Sequence, residues 1–269
     1  MTRESRRAAM PLLRRVVVVA MLFAVAARAQ EFSEAAPAGH LSAAALLERG
    51  LPARAEALSG AAIATRWHGL AEIETRALAA AIGVRALRIA VGASQTGETD
   101  LGWSQVALGV GGASDRGGAA LRGSARRRLL AAGDDGIGGE VGAGAWVAAS
   151  PDLVVWASAP QLWTRGDPPP LERWLEIGAR FERPEAQLWL SRAASPGAPH
   201  GLRAEHLGGL LLPAGPAAVW IEGRDHPARG TLGLAVAAGR LRVSAAVEGH
   251  PVLGETVRME LAWGERPWW

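Results

Sequence analysis

Residues 241–248 read Leu-Arg-Val-Ser-Ala-Ala-Val-Glu, and this short stretch decides the fold. Leu241, Val243, Ala245 and Val247 fall on one side of an extended ribbon, and Arg242, Ser244 and Glu248 fall on the other. A period of two marks a strand with one apolar face, whereas an amphipathic helix repeats every three to four residues. The pattern recurs in 255–263, where Val257, Met259, Leu261 and Trp263 oppose Thr256, Arg258 and Glu260. In 171–182, Leu171, Leu175, Ile177, Ala179 and Phe181 oppose Glu172, Trp174, Glu176, Arg180 and Glu182. In 86–94, Leu87, Ile89, Val91 and Ala93 oppose Arg88, Ala90, Gly92 and Ser94.

Weaker alternation runs through 69–82, 102–112, 118–128, 137–148, 152–162, 185–192, 202–211, 216–224 and 230–238. Between these segments lie turn residues such as Gly97-Glu98-Thr99-Asp100, Ser114 to Gly118 and Gly133-Asp134-Asp135-Gly136. Two Pro-rich stretches, 166–170 and 195–199, cannot continue a ladder. The candidates span roughly 9–12 residues each, longer than the ~5–6 of an average globular strand and matched to the ~9–11 of a tilted membrane strand. The expected fold is all-β: an antiparallel up-and-down β-barrel of about 12–14 strands with a short N-terminal helical segment. That segment is Ser42 to Gly50, with Ser42 as N-cap and Gly50 past its end. Residues 51–66 read either as a second helical piece or as the first strand.

The chain opens with Arg3, Arg6, Arg7, Arg14 and Arg15, an apolar run Val16–Ala27, and Ala27-Arg28-Ala29. This order predicts a signal peptide over 1–29, cleaved before Gln30. Residues 30–66 are then a lead-in with the short helix as a candidate plug, and 67–269 the barrel. Residues 1–29 hold six Arg and one Glu, so the chain's net charge of +3 becomes −2 without them. No basic patch for nucleic acid survives, and no nucleic-acid partner is expected. All 29 basic residues are Arg, Tyr is absent, and Trp (eleven) supplies nearly all aromatic surface beside three Phe. With no Cys there is no disulfide, no thiolate metal site and no lipid-modified cysteine.

Alternation alone does not say which face is outside. In a membrane barrel the aliphatic face meets lipid and the Glu/Arg face lines the lumen; in a soluble barrel the order is reversed. The strand lengths, the charges of both signs on one face and the terminal Trp268-Trp269 favour the membrane version. The alternative is a soluble periplasmic barrel or sandwich that binds a ligand or partner. The residues expected to line the lumen and touch a ligand are Trp174, Trp189, Trp220, Glu176, Arg180, Glu222, Arg258 and Glu260, with Trp146 and Trp156 as additions. Tryptophans filling a narrow barrel with no channel is an equal reading. No catalytic, metal or cofactor set is legible. His200 and His206 are scattered, Asp134-Asp135 with Glu140 reads as turn chemistry, and Gly109, Gly111 and Gly112 do not follow a dinucleotide fingerprint. Arg126-Arg127-Arg128 reads as a strand end, with anionic lipid head groups as a second reading.

The run Ala53 to Ala62, ending Ala57-Leu58-Ser59-Gly60-Ala61-Ala62, followed by hairpins, resembles the opening of the outer-membrane fatty-acid porins and the related barrels of the type IX secretion machinery. In those families an Ala-Leu-Gly-Gly-Ala run precedes a segment that enters the lumen. Here Ser59 replaces one glycine, and Glu74-Thr75-Arg76-Ala77 stands near where an Asn-Pro-Ala motif would be. The resemblance implies about fourteen strands, an N-terminal plug and passage of a hydrophobic solute. Taken together, the sequence leads us to expect a non-enzymatic outer-membrane β-barrel. It would act as a small-solute channel or envelope scaffold, with outer-membrane lipid, the barrel assembly machinery and a hydrophobic small molecule as partners.

Overall fold

The computed structural model describes residues 35–54, 58–67, 74–97, 101–130, 136–166, 175–195, 203–225, 228–251, 254–264 and 269. The signal-peptide expectation and Trp174 lie outside them. Among the described residues one helix, α1 (Ala43–Arg49), precedes fourteen strands. These are β1 (Leu58–Arg66), β2 (Glu74–Val84), β3 (Leu87–Gly97), β4 (Leu101–Ala113) and β5 (Gly117–Leu130). Next come β6 (Ile137–Ser150), β7 (Leu153–Gly166), β8 (Leu175–Glu182), β9 (Gln187–Ser195) and β10 (Arg203–Ala214). The last are β11 (Ala217–Asp225), β12 (Ala228–Ala238), β13 (Leu241–His250) and β14 (Gly254–Trp263).

Every strand pairs antiparallel with its neighbours in sequence, and β1 pairs with β14 from Gly60↔Trp263 to Arg66↔Val257. The sheet is thus a closed up-and-down barrel with no free edge. The doubtful stretch 51–66 supplies β1, so the barrel begins at Leu58 rather than at residue 67. Six connections of two to four residues, from Arg85-Ala86 to Gly239-Arg240, share one end with the start of β1 and the finish of β14. We call this the turn end, and the opposite end the loop end. Gly215 and Gly239 open their two-residue turns in the left-handed region, and Arg85 holds the same position at φ 56°.

The faces sort as hydropathy requires. Leu190, Leu232, Ile177, Val243, Leu234 and Leu261 point outward and are 42–71% exposed. Across the wall, Arg122, Glu140, Arg242 and Glu260 point inward and are 5% exposed or less. The lumen is filled in its turn-end half by residues 35–54. Ser42 Oγ accepts from Ala45 N at 2.9 Å, and Gly50 ends α1 in the left-handed region (φ 71°), as the sequence signals predict. Ala43, Ala44, Leu46 and Leu47 of α1 pack on an inner wall of small residues, Ala61, Ile63, Ala77, Ala79, Ala90, Ala107, Ala120 and Ala262. Small side chains on β1–β5 leave room for a helix inside a fourteen-strand barrel.

The other side of the lumen is closed by tryptophan. Trp146, Trp156, Trp189 and Trp220 are 1–3% exposed. Each faces a glycine on a neighbouring strand: Gly118, Gly178, Gly209 and Gly233 respectively. A Cβ on Gly178, Gly209 or Gly233 would fall inside the facing indole. The ring therefore lies over the bare backbone and covers it. Gly233→Val should push Trp220 off its rotamer and cost about 1–3 kcal/mol, read as a lower urea midpoint at unchanged slope.

A plugged lumen with a charged vestibule

Residues 35–54 are fastened to the barrel mainly through their backbone. Arg122 Nε donates to Leu47 O at 2.5 Å, Arg180 to Gly39 O at 3.0 Å, Trp146 Nε1 to Pro52 O at 2.8 Å and Ser158 Oγ to Arg49 O at 2.7 Å. Arg88 donates to Ala53 O at 3.1 Å and Arg54 O at 2.6 Å. In the other direction Ala35 N donates to Glu260 at 3.1 Å and Ala38 N to Glu222 at 2.9 Å. A non-helical segment in a lumen must find partners for its backbone groups, and the inward Arg and Glu side chains provide them.

Above this plug lies a cavity of about 430 Å³. Its lining carries six arginines (49, 122, 126, 224, 229 and 258) and six glutamates (48, 140, 176, 205, 222 and 248), with His40 among the plug residues. The charges are ordered into ladders across neighbouring strands. On β10–β14, Glu205 holds Arg224 at 3.1 Å and Arg229 at 2.6 Å, while Glu248 holds Arg229 at 3.2 Å and Arg258 at 3.1 Å. Arg258 then stacks over the Trp67 ring at 5.7 Å, just beyond β1. On β4–β7, Glu140 holds Arg122 at 2.6 Å and Arg126 at 3.1 Å, with Ser124 and Gln161 as further donors and Gln105 on Arg126. Burying these ions is tolerable because each carboxylate meets two guanidinium groups. Burial, with Arg242, Arg180 and Arg49 nearby, pulls the His40 imidazole well below its usual range. Burial raises the Glu48 carboxyl, against the pull of Arg49, Arg258 and Arg122.

The residues expected from sequence are found as follows. Glu176, Glu222 and Arg258 line the cavity. Trp189 and Trp220 are inward but covered at 2% and 1% exposure, and Trp189 Nε1 donates to Glu222 at 2.9 Å. Trp146 and Trp156 belong to the same covered layer. Arg180 pairs with Glu182 and the plug, and Glu260 pairs with Arg242 at 2.5 Å. Sequence reading missed Glu48, Arg122, Arg126, Glu140, Glu205, Arg224, Arg229 and Glu248. Alternation splits the Arg126-Arg127-Arg128 run, sending Arg126 to Glu140 and leaving Arg127 exposed. His206 sits on the outer face, 2.7 Å from Asp225, while His200 lies outside the described residues. No group of three metal-ligating side chains occurs among the described residues.

Fold and site together define a closed fourteen-strand antiparallel barrel, plugged by its own N-terminal segment. No family model matches the chain, and no curated protein matches it. Solved structures similar to it include the KdgM porin, at 5% identity and TM-score 0.47, over 77% of this chain and 99% of that one. A triple mutant of Rhodopseudomonas blastica porin is similar at 11% identity and TM-score 0.43, over 77% of this chain and 98% of that one. The barrel assignment stands on the chain's own strand pairing.

Proposed function

We propose that the chain is exported and assembled as an outer-membrane barrel. It admits small polar solutes into a charged vestibule from the loop end, and residues 35–54 close the turn end. The observation that carries this reading is the exposure of aliphatic side chains around the barrel while its ionic side chains meet one another inside. A soluble protein rarely leaves so continuous an apolar surface in water, and a bilayer rewards it. Short turns and both barrel ends at one pole support a periplasmic position for that pole, with the loop end outside the cell. The ionic lining favours a polar solute over the hydrophobic one that the fatty-acid-porin resemblance implies. The reading assigns no enzymatic role and no cofactor.

Cell fractionation tests the location. Outer-membrane recovery with heat-modifiable gel mobility, and a mature N-terminus at Gln30, is the expected result; release by osmotic shock would contradict it. Leu234, half exposed near the middle of β12, gives a sharper test. Leu234→Arg should cost about 2–4 kcal/mol in a bilayer, the toll of a cation at the hydrocarbon midplane. On a soluble protein's surface the same change would be close to neutral.

A further inference from the structure

The vestibule pairs two unmet needs. The β10–β14 ladder holds three arginines against two glutamates, one positive charge in excess. The Nε groups of Arg224, Arg229 and Arg258 are buried and find no acceptor among the described residues. Arg122 and Arg126 share Glu140, which repeats the excess on the opposite wall. Between the walls stands Glu48, in the last turn of α1, lining the same cavity as Arg258 and Arg122. Its carboxyl has no hydrogen bond to any described residue. Glu222 is held by neutral donors only, Ala38 N and Trp189 Nε1. The cavity wall therefore carries guanidinium groups in excess of the carboxylates that hold them, each with part of its side chain still open, and the plug side carries a carboxyl without a donor.

We propose that the vestibule binds a small zwitterion, its carboxylate or phosphate against the Arg224–Arg229–Arg258 ladder and its amine against Glu48. Guanidinium groups donate in pairs to carboxylate and phosphate oxygens, and an ammonium group supplies the compact donors that a lone carboxylate takes. A simple anion would satisfy the walls but face Glu48, and a simple cation would face the ladders. This deepens the vestibule reading above and rests on it for the route of entry alone.

Calorimetric titration of the full chain in detergent micelles with 4-aminobutanoate, butanoate and butylamine tests it, since the three share a four-carbon length. The zwitterion should bind at least about tenfold more tightly than either singly charged probe, a factor worth one charge-assisted contact. Glu48→Gln should erase its advantage over butanoate. Arg224→Gln, at the ladder's end where Glu205 keeps Arg229, should weaken the zwitterion and butanoate alike. Both variants should keep heat-modifiable mobility. Equal binding of butanoate, equal binding of butylamine, or no heat with any probe would each overturn the proposal. Micellar binding needs neither a membrane location nor conduction. Binding retained in a protein that osmotic shock releases would sink the outer-membrane reading alone, and outer-membrane recovery without zwitterion preference would sink only this one.

Discussion

Glu140→Ala is expected to lower the unfolding free energy by about 3–5 kcal/mol, the usual cost of stranding buried charge. Glu140 and Arg122 are 5% and 4% exposed, and the lost carboxylate would leave Arg122 and Arg126 facing each other with only amides, a hydroxyl and carbonyls. The pair itself need not outdo a well-packed apolar pair; the penalty comes from removing one partner. Glu140→Gln, which keeps the acceptor but not the charge, should cost less. Because Arg122 also holds Leu47 O of the plug, the Ala variant should loosen residues 35–54. The rim pair Arg183–Asp152, with side chains 56% and 40% exposed, is the control, and Asp152→Ala should change stability by under about 1 kcal/mol. Urea midpoints of refolded protein, at fixed slope, read all three.

Deleting residues 35–54 is expected to leave a barrel that still shifts on heating but conducts steadily in planar bilayers. The intact chain should be closed or only briefly open, so the difference in mean current is at least about tenfold, as between a plugged and a water-filled lumen. Fourteen strands close on themselves without the plug, which is why the barrel should survive. Stability should nonetheless fall, because Leu46, Leu47 and Leu51 are all but fully buried and each contributes roughly 1.5–3 kcal/mol by leaving water. Leu46→Asp with Leu47→Asp gives a second route to the same state with chain length unchanged, by placing carboxylates against the alanine wall. Equal currents from the intact and deleted chains would show that the segment does not block the lumen.

Strand order and outward faces were legible because Leu, Val and Ile alternate with Arg and Glu, as in 241–248 and 255–263. The helix caps were legible too, in Ser42 and Gly50. What could not be read was the helix's destination. The middle of β1 is apolar on both faces because its inner residues Ala61 and Ile63 pack on α1, so its alternation fades and 51–66 looks ambiguous. Ala77 and Ala79 on β2, Ala107 on β4 and Ala120 on β5 weaken the polarity contrast of their strands for the same reason. The vestibule was half legible. Glu176 and Arg258 stood out on strongly alternating segments, and Glu222 on a weaker one. Glu205 and Arg229 lie twenty-four residues apart, and only the strand register brings them to 2.6 Å. The tryptophan–glycine pairs are likewise a product of register, since Trp220 and Gly233 say nothing about each other until β11 and β12 are aligned.

The lipid-facing position of the aliphatic side chains can be measured directly. The chain contains no cysteine, so spin labels can be placed singly at Leu234→Cys, Leu261→Cys and Ala193→Cys in protein reconstituted into bilayers. Labels at 234 and 261 should collide with dissolved oxygen and be shielded from a water-soluble nickel chelate, while the label at 193, facing the vestibule, should show the reverse. Immobile labels at 234 and 261, shielded from both reagents, would mean that those leucines face a protein core and that the barrel does not stand in a membrane.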